Sequence, residues 1–335
     1  MLRGKRILIT GGTGSFGHFM LHRLVPHEPA EIRVLSRDEK KQFDMRHEFA
    51  AHANVSFVVG DVRDAAKVRQ ACAGIDIVFH AAALKQVPNC ELFPLEAIKT
   101  NVLGAQNLID AAIANGVERV VAVSTDKAVK PVNVMGMTKA LQERLIINAN
   151  RALDNRGTKF CCVRYGNVMN SRGSVIPLFK RLLRDGKPLT VTHPEMTRFM
   201  LTFSDAADLV LYAMENMQGG ELFVKKAPAA YMVNVAEALI ALTGSPQREI
   251  KFIGQFAGEK LHEILISEEE ATRCQDHGDY FVVAPWSPQP AQQLTLKEYC
   301  SREHIVSVEA IQDLLRRSDR EMQAIQYSEG YFVIQ

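Results

Sequence analysis

No stretch of this 335-residue chain approaches the roughly 20 consecutive apolar residues that a membrane-spanning helix needs. No leader-like segment precedes the first strand pattern either, so a soluble, cytoplasmic protein with no membrane partner is expected. Charge of one sign is also lacking: 40 Lys and Arg stand against 38 Asp and Glu, a net charge of +2. Nucleic-acid and anionic-surface binding rest on concentrated basic charge, and neither class of partner is expected. The six cysteines contain no C-x-x-C pair, and no His-rich metal spacing accompanies them. No metal is therefore expected, and the cysteines are read as buried, reduced thiols. Internal repeats and low-complexity tracts are absent as well. What remains is an ordinary globular composition, 47% hydrophobic and 23% charged, with length for one large or two small domains.

The first half alternates short β-branched runs with longer helical patterns, the signature of βαβ units on a parallel sheet. The runs are Lys5–Thr10, Glu31–Ser36, Val55–Gly60, Asp76–His80, Arg119–Ser124 and Lys159–Tyr165. Each is nearly continuously apolar, as strands covered on both faces should be. They predict an α/β fold, a doubly wound parallel Rossmann sheet, over residues 1–166. Apolar residues at helical spacing predict one long helix from Asn133 to about Leu153. After Tyr165 the pattern breaks into Gly- and Pro-punctuated pieces, so residues 167–335 are expected to form a smaller, mixed substrate lobe. Helices at Ser204–Asn216 and Val233–Leu242 and a strand at Glu221–Lys225 are expected, with about 203–225 rejoining the sheet. A connector at Trp286–Pro290 and a late helix at Ser307–Arg316 complete the reading.

Directly after the first strand stands Gly11-Gly12-Thr13-Gly14-Ser15-Phe16-Gly17, opening into a helix. Glycines there allow a tight turn and close backbone approach, and the helix N-terminus offers unpaired N–H groups to a pyrophosphate. A dinucleotide is expected on Gly11, Thr13, Gly14, Ser15, Phe16 and Gly17. The second strand ends in Ser36-Arg37-Asp38-Glu39-Lys40-Lys41. An acidic residue at its end would select NAD through the ribose 2′-hydroxyl, whereas Arg37 with Lys40 and Lys41 suits the 2′-phosphate of NADP. A solvated helix start, with Asp38 and Glu39 favouring the helix dipole, stays open as the alternative. Asp61-Val62 is placed near the adenine, and the small Ala81-Ala82-Ala83 beside the cofactor.

After the fifth strand come Ser124-Thr125-Asp126-Lys127, at the carboxyl edge where open α/β sheets bind ligands. Eight residues on, the long helix carries Met135 and Lys139 on one face. This pattern resembles the extended short-chain dehydrogenases/reductases, whose Tyr-x-x-x-Lys supplies a proton-transferring phenol and the lysine that lowers its pKa. Here the tyrosine is Met135, and a thioether cannot titrate. Further strings, His80-Ala81-Ala82-Ala83-Leu84-Lys85-Gln86-Val87-Pro88, Arg164-Tyr165-Gly166-Asn167-Val168, Ser171 to Pro177, Met196-Thr197-Arg198-Phe199 and Gly258-Glu259-Lys260, are similar to UDP-N-acetylglucosamine 4,6-dehydratases. The Met-x-x-x-Lys form resembles their C5-inverting members in N-acetyl-L-fucosamine synthesis for capsule or O-antigen.

The resemblance implies an internal redox cycle on NADP: oxidation at sugar C4, loss of water across C5 and C6, and return of the hydride to C6. It makes Lys127 the candidate base at C5 and Asp126 the candidate acid at the C6 hydroxyl. Lys139 holds the cofactor, and Thr125, Asp126 or water is left to take the C4 hydroxyl proton. Lys85, Asn101 and Val168 complete the implied cofactor set. Lys85, Asn167, Arg172, Gly173, Ser174, Val175, Ile176, Pro177, Thr190, Arg198 and Glu259 form the implied substrate set for UDP-N-acetylglucosamine. Similar enzymes carry an arginine where Phe256 stands, which leaves GDP or CDP sugars open. A C5-retaining dehydratase, a C4 epimerase and a non-catalytic NADP-binding regulator are the other readings. The resemblance also implies a homo-oligomer, a dimer or a hexamer.

Overall fold

A computed structural model describes residues 1–244, 249–285 and 296–325. Its frame is the expected βαβ alternation: β1 (Arg6–Thr10), α1 (Ser15–Leu24), β2 (Glu31–Ser36), α2 (Glu39–Glu48), β3 (Val55–Val59), β4 (Ile77–His80), β5 (Arg119–Val123) and β6 (Lys159–Arg164). These six strands pair in parallel in the order β3-β2-β1-β4-β5-β6, so the chain reverses direction across the sheet between β1 and β4. Crossover helices cover both faces and leave the carboxyl edge at that reversal open, the usual ligand position in such sheets.

Among the described residues the sheet has nine strands. Leu222–Lys225 adds in parallel to β6, following the Phe203–Asn216 helix. Beyond it lies an antiparallel hairpin of Cys274–His277 and Tyr280–Val283. Its strands alternate too weakly to stand out in the sequence, because Cys274–His277 is exposed beyond its first residue. Polar residues there satisfy an outer strand that buries little.

The long helix runs Val134–Asn148 and gives way to a 3₁₀ turn at Ala149–Arg151, earlier than the expected end near Leu153. Asn133 is its cap, with a side chain that accepts from the Gly136 N–H at 2.8 Å. The late helix starts as expected after Ser307 but continues to Ala324, since Leu315 and Met322 keep the apolar stripe buried. Residues 286–290 lie outside the described residues.

A second core, separate from that of the sheet, is built from Ile176, Phe179, Leu189, Met200, Val235, Leu239, Ile311 and Leu315. Its segments come from both sides of the 203–225 return to the sheet. All six cysteines are buried and unpaired. No helix among the described residues is long and apolar enough to cross a membrane.

Candidate active site

The open edge of the sheet forms one cleft of about 770 Å³, lined from Gly11 to Gly17 at one end through Ser124, Thr125 and Lys127 to Ser171–Ser174 at the other. Gly11 sits at φ +68°, and a Cβ there would lie 2.7 Å from the Ala82 backbone nitrogen. Only glycine lets the β1 turn pass the β4 end so closely. Gly14 caps α1, whose first residues Ser15, Phe16 and Gly17 line the cleft. A pyrophosphate fits this cradle of unpaired N–H groups.

At the far side of the loop, Thr13 Oγ1 and Ser36 Oγ share a hydrogen bond of 2.6 Å, and the Asp38 N–H donates to Ser36 Oγ at 3.2 Å. Asp38 caps α2 by accepting from the Lys41 N–H and pairs with Lys41 Nζ at 3.2 Å. Its carboxylate is thus occupied by its own helix. Burial works against that charge, but Lys41 outweighs it and holds the carboxyl below the usual range. The Arg37 side chain is 56% exposed, with its guanidinium 3.6 Å from Asp61. Asp61 is more tightly held by Arg63, at 2.7 Å. Arg37 and Lys41 line the cleft, whereas Lys40 turns away to Asp44 at 2.5 Å, one helical turn along the outer face. Val62, Ala81, Ala82 and Lys85 also line it. Lys85 is exposed to the cleft, and partial enclosure there, with Arg172 and Lys127 nearby, pulls its ammonium below the lysine range.

Asn101 does not line the cleft. Buried in a π-helical turn at Ile98–Leu103, it accepts from the Leu84 N–H and donates to Leu84 O and to Thr138 Oγ1. It fixes the 81–85 loop against the long helix, a positioning role typical of such turns.

At the centre, the Asp126–Ala128 turn follows β5. Asp126 is fully buried beneath the cleft wall, while Thr125 and Lys127 line the cleft. Thr125 Oγ1 donates to Asp126 Oδ1 at 2.8 Å, and Lys127 Nζ donates to the same oxygen at 3.0 Å. Glu263, which motif reading did not single out, is buried and lies 3.3 Å from Lys127 Nζ. Its backbone is pinned to Ser301 in both directions. Burial lowers the pKa of Lys127, but Asp126 and Glu263 overcome that and raise it, so the side chain rests as an ammonium. Asp126 Oδ2 and Glu263 Oε2 are both buried without a hydrogen-bond partner. Buried carboxylate oxygens in that state are costly.

The long helix enters against this turn through Gly136, where a Cβ would lie 2.2 Å from the Lys127 carbonyl oxygen. Met135 is buried beside Cys90 and Ala97 but still lines the cleft. Lys139 donates to Val123 O and Gln142 Oε1, both at 2.6 Å. Burial drags its pKa to about 8, against the opposing pull of Cys162 and Glu143. Tyr165 is the one tyrosine among the lining residues, and burial raises its phenol well above the ordinary range.

Beneath the site, Arg164 is fully engaged. It donates to both oxygens of Glu143 and both of Glu270, and to Leu265 O at 2.8 Å. Glu143 belongs to the long helix and also accepts from Ser124 Oγ at 2.5 Å. The lock therefore ties β5, β6, the long helix and the Glu268–Ala271 helix together.

Of the implied substrate residues, Asn167, Val168, Arg172, Gly173 and Ser174 line the cleft, and the Arg172 N–H donates to Ser15 Oγ at 3.1 Å. Val175, Ile176 and Pro177 open the next helix outside the lining, with Ile176 in the second core. Thr190 is on a strand pair with Lys251. Arg198 is buried, donates to Thr197 O at 2.8 Å and lies 3.6 Å from Glu263. Glu259 accepts from the Phe256 N–H within its own turn, and Phe256 is 59% exposed. None of these last four lines the cleft.

The family described as polysaccharide biosynthesis protein is matched over residues 7–285. A protein named UDP-glucose 4-epimerase from Rickettsia canadensis (strain McKiel) is 49% identical over 303 residues, covering 89% of this chain and 87% of its own. Its namesake in Rickettsia akari (strain Hartford) is 48% identical over the same shares. Among solved structures, Pen from Bacillus thuringiensis is 38% identical with a TM-score of 0.89, covering 94% of this chain and 98% of its own. The dTDP-glucose 4,6-dehydratase DesIV of Streptomyces venezuelae, solved with NAD and TYD, is 24% identical with a TM-score of 0.69 over 76% of this chain and 86% of its own, a likeness of fold. On a Rossmann sheet of extended short-chain dehydrogenase/reductase type, with relatives this similar along most of its length, the chain belongs to the polysaccharide biosynthesis protein family.

Proposed function

We propose that the chain is a nucleotide-sugar enzyme of the 4,6-dehydratase type, acting on UDP-N-acetylglucosamine with NADP and inverting C5. The observation that carries this reading is Lys127, an ammonium at the cleft wall held by Asp126 and Glu263, beside a methionine that cannot move a proton. An epimerase needs only to take and return hydrogen at C4. A lysine at the cleft wall beside a Thr125–Asp126 proton relay goes beyond that need.

The chemistry a bound NADP supplies is acceptance of the C4 hydride and its return to C6. The chain's own groups handle protons. The C4 hydroxyl proton passes through Thr125 Oγ1, which lines the cleft, to Asp126 Oδ1 behind it. Asp126, behind the wall, then returns that proton through Thr125 Oγ1 to the departing C6 hydroxyl, so one water leaves. Lys127 first gives its ammonium proton to solvent at the cleft and then, as the neutral amine, removes the C5 proton made acidic by the C4 ketone. A solvent-derived proton is added to C5 on the opposite face, which inverts it, and Lys127 passes the proton it took back to solvent at the cleft. Lys139 holds the nicotinamide ribose.

Incubation with UDP-N-acetylglucosamine in D₂O, without added reductant, is expected to lose one water by mass spectrometry and to give a methyl signal with deuterium at C5; the ring couplings report the inversion. Unchanged mass with an epimerised C4 would replace this reading with the second one, a C4 epimerase, which the names of the Rickettsia relatives favour. Intact substrate would refute both.

For the cofactor, Arg37 is the group that reads the 2′-phosphate. Arg37→Ala is expected to weaken NADPH binding by about 10- to 100-fold, the range for a charge-assisted hydrogen bond, and to leave NADH unchanged. Fluorescence titration of both cofactors decides it, and equal losses would assign Arg37 to the adenine instead.

A further inference from the structure

α1 presents His18 and His22 one turn apart toward Glu48, the last residue of α2. His18 Nε2 lies 2.9 and 2.8 Å from the two Glu48 oxygens, and His22 Nε2 lies 2.7 Å from Glu48 Oε1. One ligand atom from each of the three falls within 4.8 Å of the others. His18 is buried, and the Phe49 ring packs 4.6 Å from that of His22, closing one side against water. The other side is open, with His22 and Glu48 side chains 29% and 27% exposed.

We infer that His18, His22 and Glu48 form a binding site for a divalent transition metal such as zinc, cobalt or nickel, with water in the fourth position. Two imidazoles and one carboxylate are a donor set of intermediate softness, suited to these ions and poor for magnesium or calcium, which prefer oxygen alone. Tetrahedral bonds of about 2.0–2.2 Å place donors about 3.4 Å apart, so the His–Glu48 contacts open by several tenths of an ångström while the wider separation, within 4.8 Å, closes toward that value. The sequence reading found no metal spacing because the third ligand is 26 residues from the second. α1 opens on the glycine loop, and Arg37 stands just before α2. The ion is a pin across the cofactor half, independent of the sugar chemistry proposed above.

Chelator-treated protein titrated with Co²⁺ is expected to bind one equivalent with micromolar affinity, with a visible absorption band of low-symmetry coordination, and Zn²⁺ is expected to displace it. Thermal unfolding should rise by about 2–4 °C on loading. His22→Gln and Glu48→Gln, at partly exposed positions that keep the fold, should each weaken binding by at least about tenfold and remove the thermal shift. No bound Co²⁺ at roughly a hundred micromolar, or binding unchanged in both variants, would overturn the site.

Discussion

Lys127→Ala is expected to lower turnover by about 10²- to 10⁴-fold, the usual worth of one positioned acid–base group, while leaving the circular-dichroism spectrum and NADPH binding as they are. The side chain lines the cleft and is one-quarter exposed, so its removal opens no core cavity. A purely structural ion pair would show the opposite pattern, with stability lost and turnover kept. Glu263→Gln separates the two further. Asp126 and Glu263 together raise the pKa of Lys127 against the effect of burial. The catalytic form is the neutral amine, so activity climbs with pH toward that raised value. Removing one carboxylate charge lowers the pKa, and the rising limb of the kcat profile should move to lower pH. A profile that does not move would show that Lys127 is not the titrating base.

Arg164→Met is expected to cost about 3–5 kcal/mol of stability, a large share of the roughly 5–15 kcal/mol that holds a native protein folded. The guanidinium is 2% exposed and bridges two carboxylates that no other cation nearby replaces as closely. Taking it away leaves Glu143 and Glu270 charged and buried. Urea unfolding measures the loss, and the double replacement with Glu270→Gln should recover part of it. The same network predicts a pH effect. Burial raises the Glu270 pKa, but Arg164 outweighs that and lowers it below the ordinary value of 4.5. Its contribution is complete above about pH 4.5 and is lost as the pH falls through the depressed value. In Arg164→Met that acid-side loss should flatten.

The parallel frame was legible because inner strands covered on both faces are apolar through most of their length, and six β-branched runs alternated with helical patterns. The glycine loop was legible because its spacing is dictated by backbone approach, as the Gly11–Ala82 contact shows. The outer hairpin was not, since a strand at an edge is free to be polar. Site residues divided along a similar line. Thr125, Lys127, Met135 and Lys139 occupy fixed offsets from a strand end and a helix start, and the structure brings them to one cleft. Glu263 arrives from 136 residues beyond Lys127, with no local pattern to announce it. Lys40 carried the right charge but the wrong helical phase, which sends it to Asp44. Arg198 and Glu259 were placed by resemblance alone, and their hydrogen bonds are spent on their own lobe.

The sheet is finished by strands that come late in the chain: Leu222–Lys225 pairs with β6, and Tyr280–Val283 pairs with Leu222–Lys225. During synthesis β6 therefore leaves the ribosome with one flank of N–H and C=O groups bare, and stays so for the translation of some sixty residues before its neighbour exists. At about 5–20 residues per second that is a window of several seconds. A half-built molecule in that window offers a long apolar edge to any similar edge nearby. Yield in the cell should thus depend on how densely this message is translated and on chaperones that shield β6, more than on the stability of the finished enzyme.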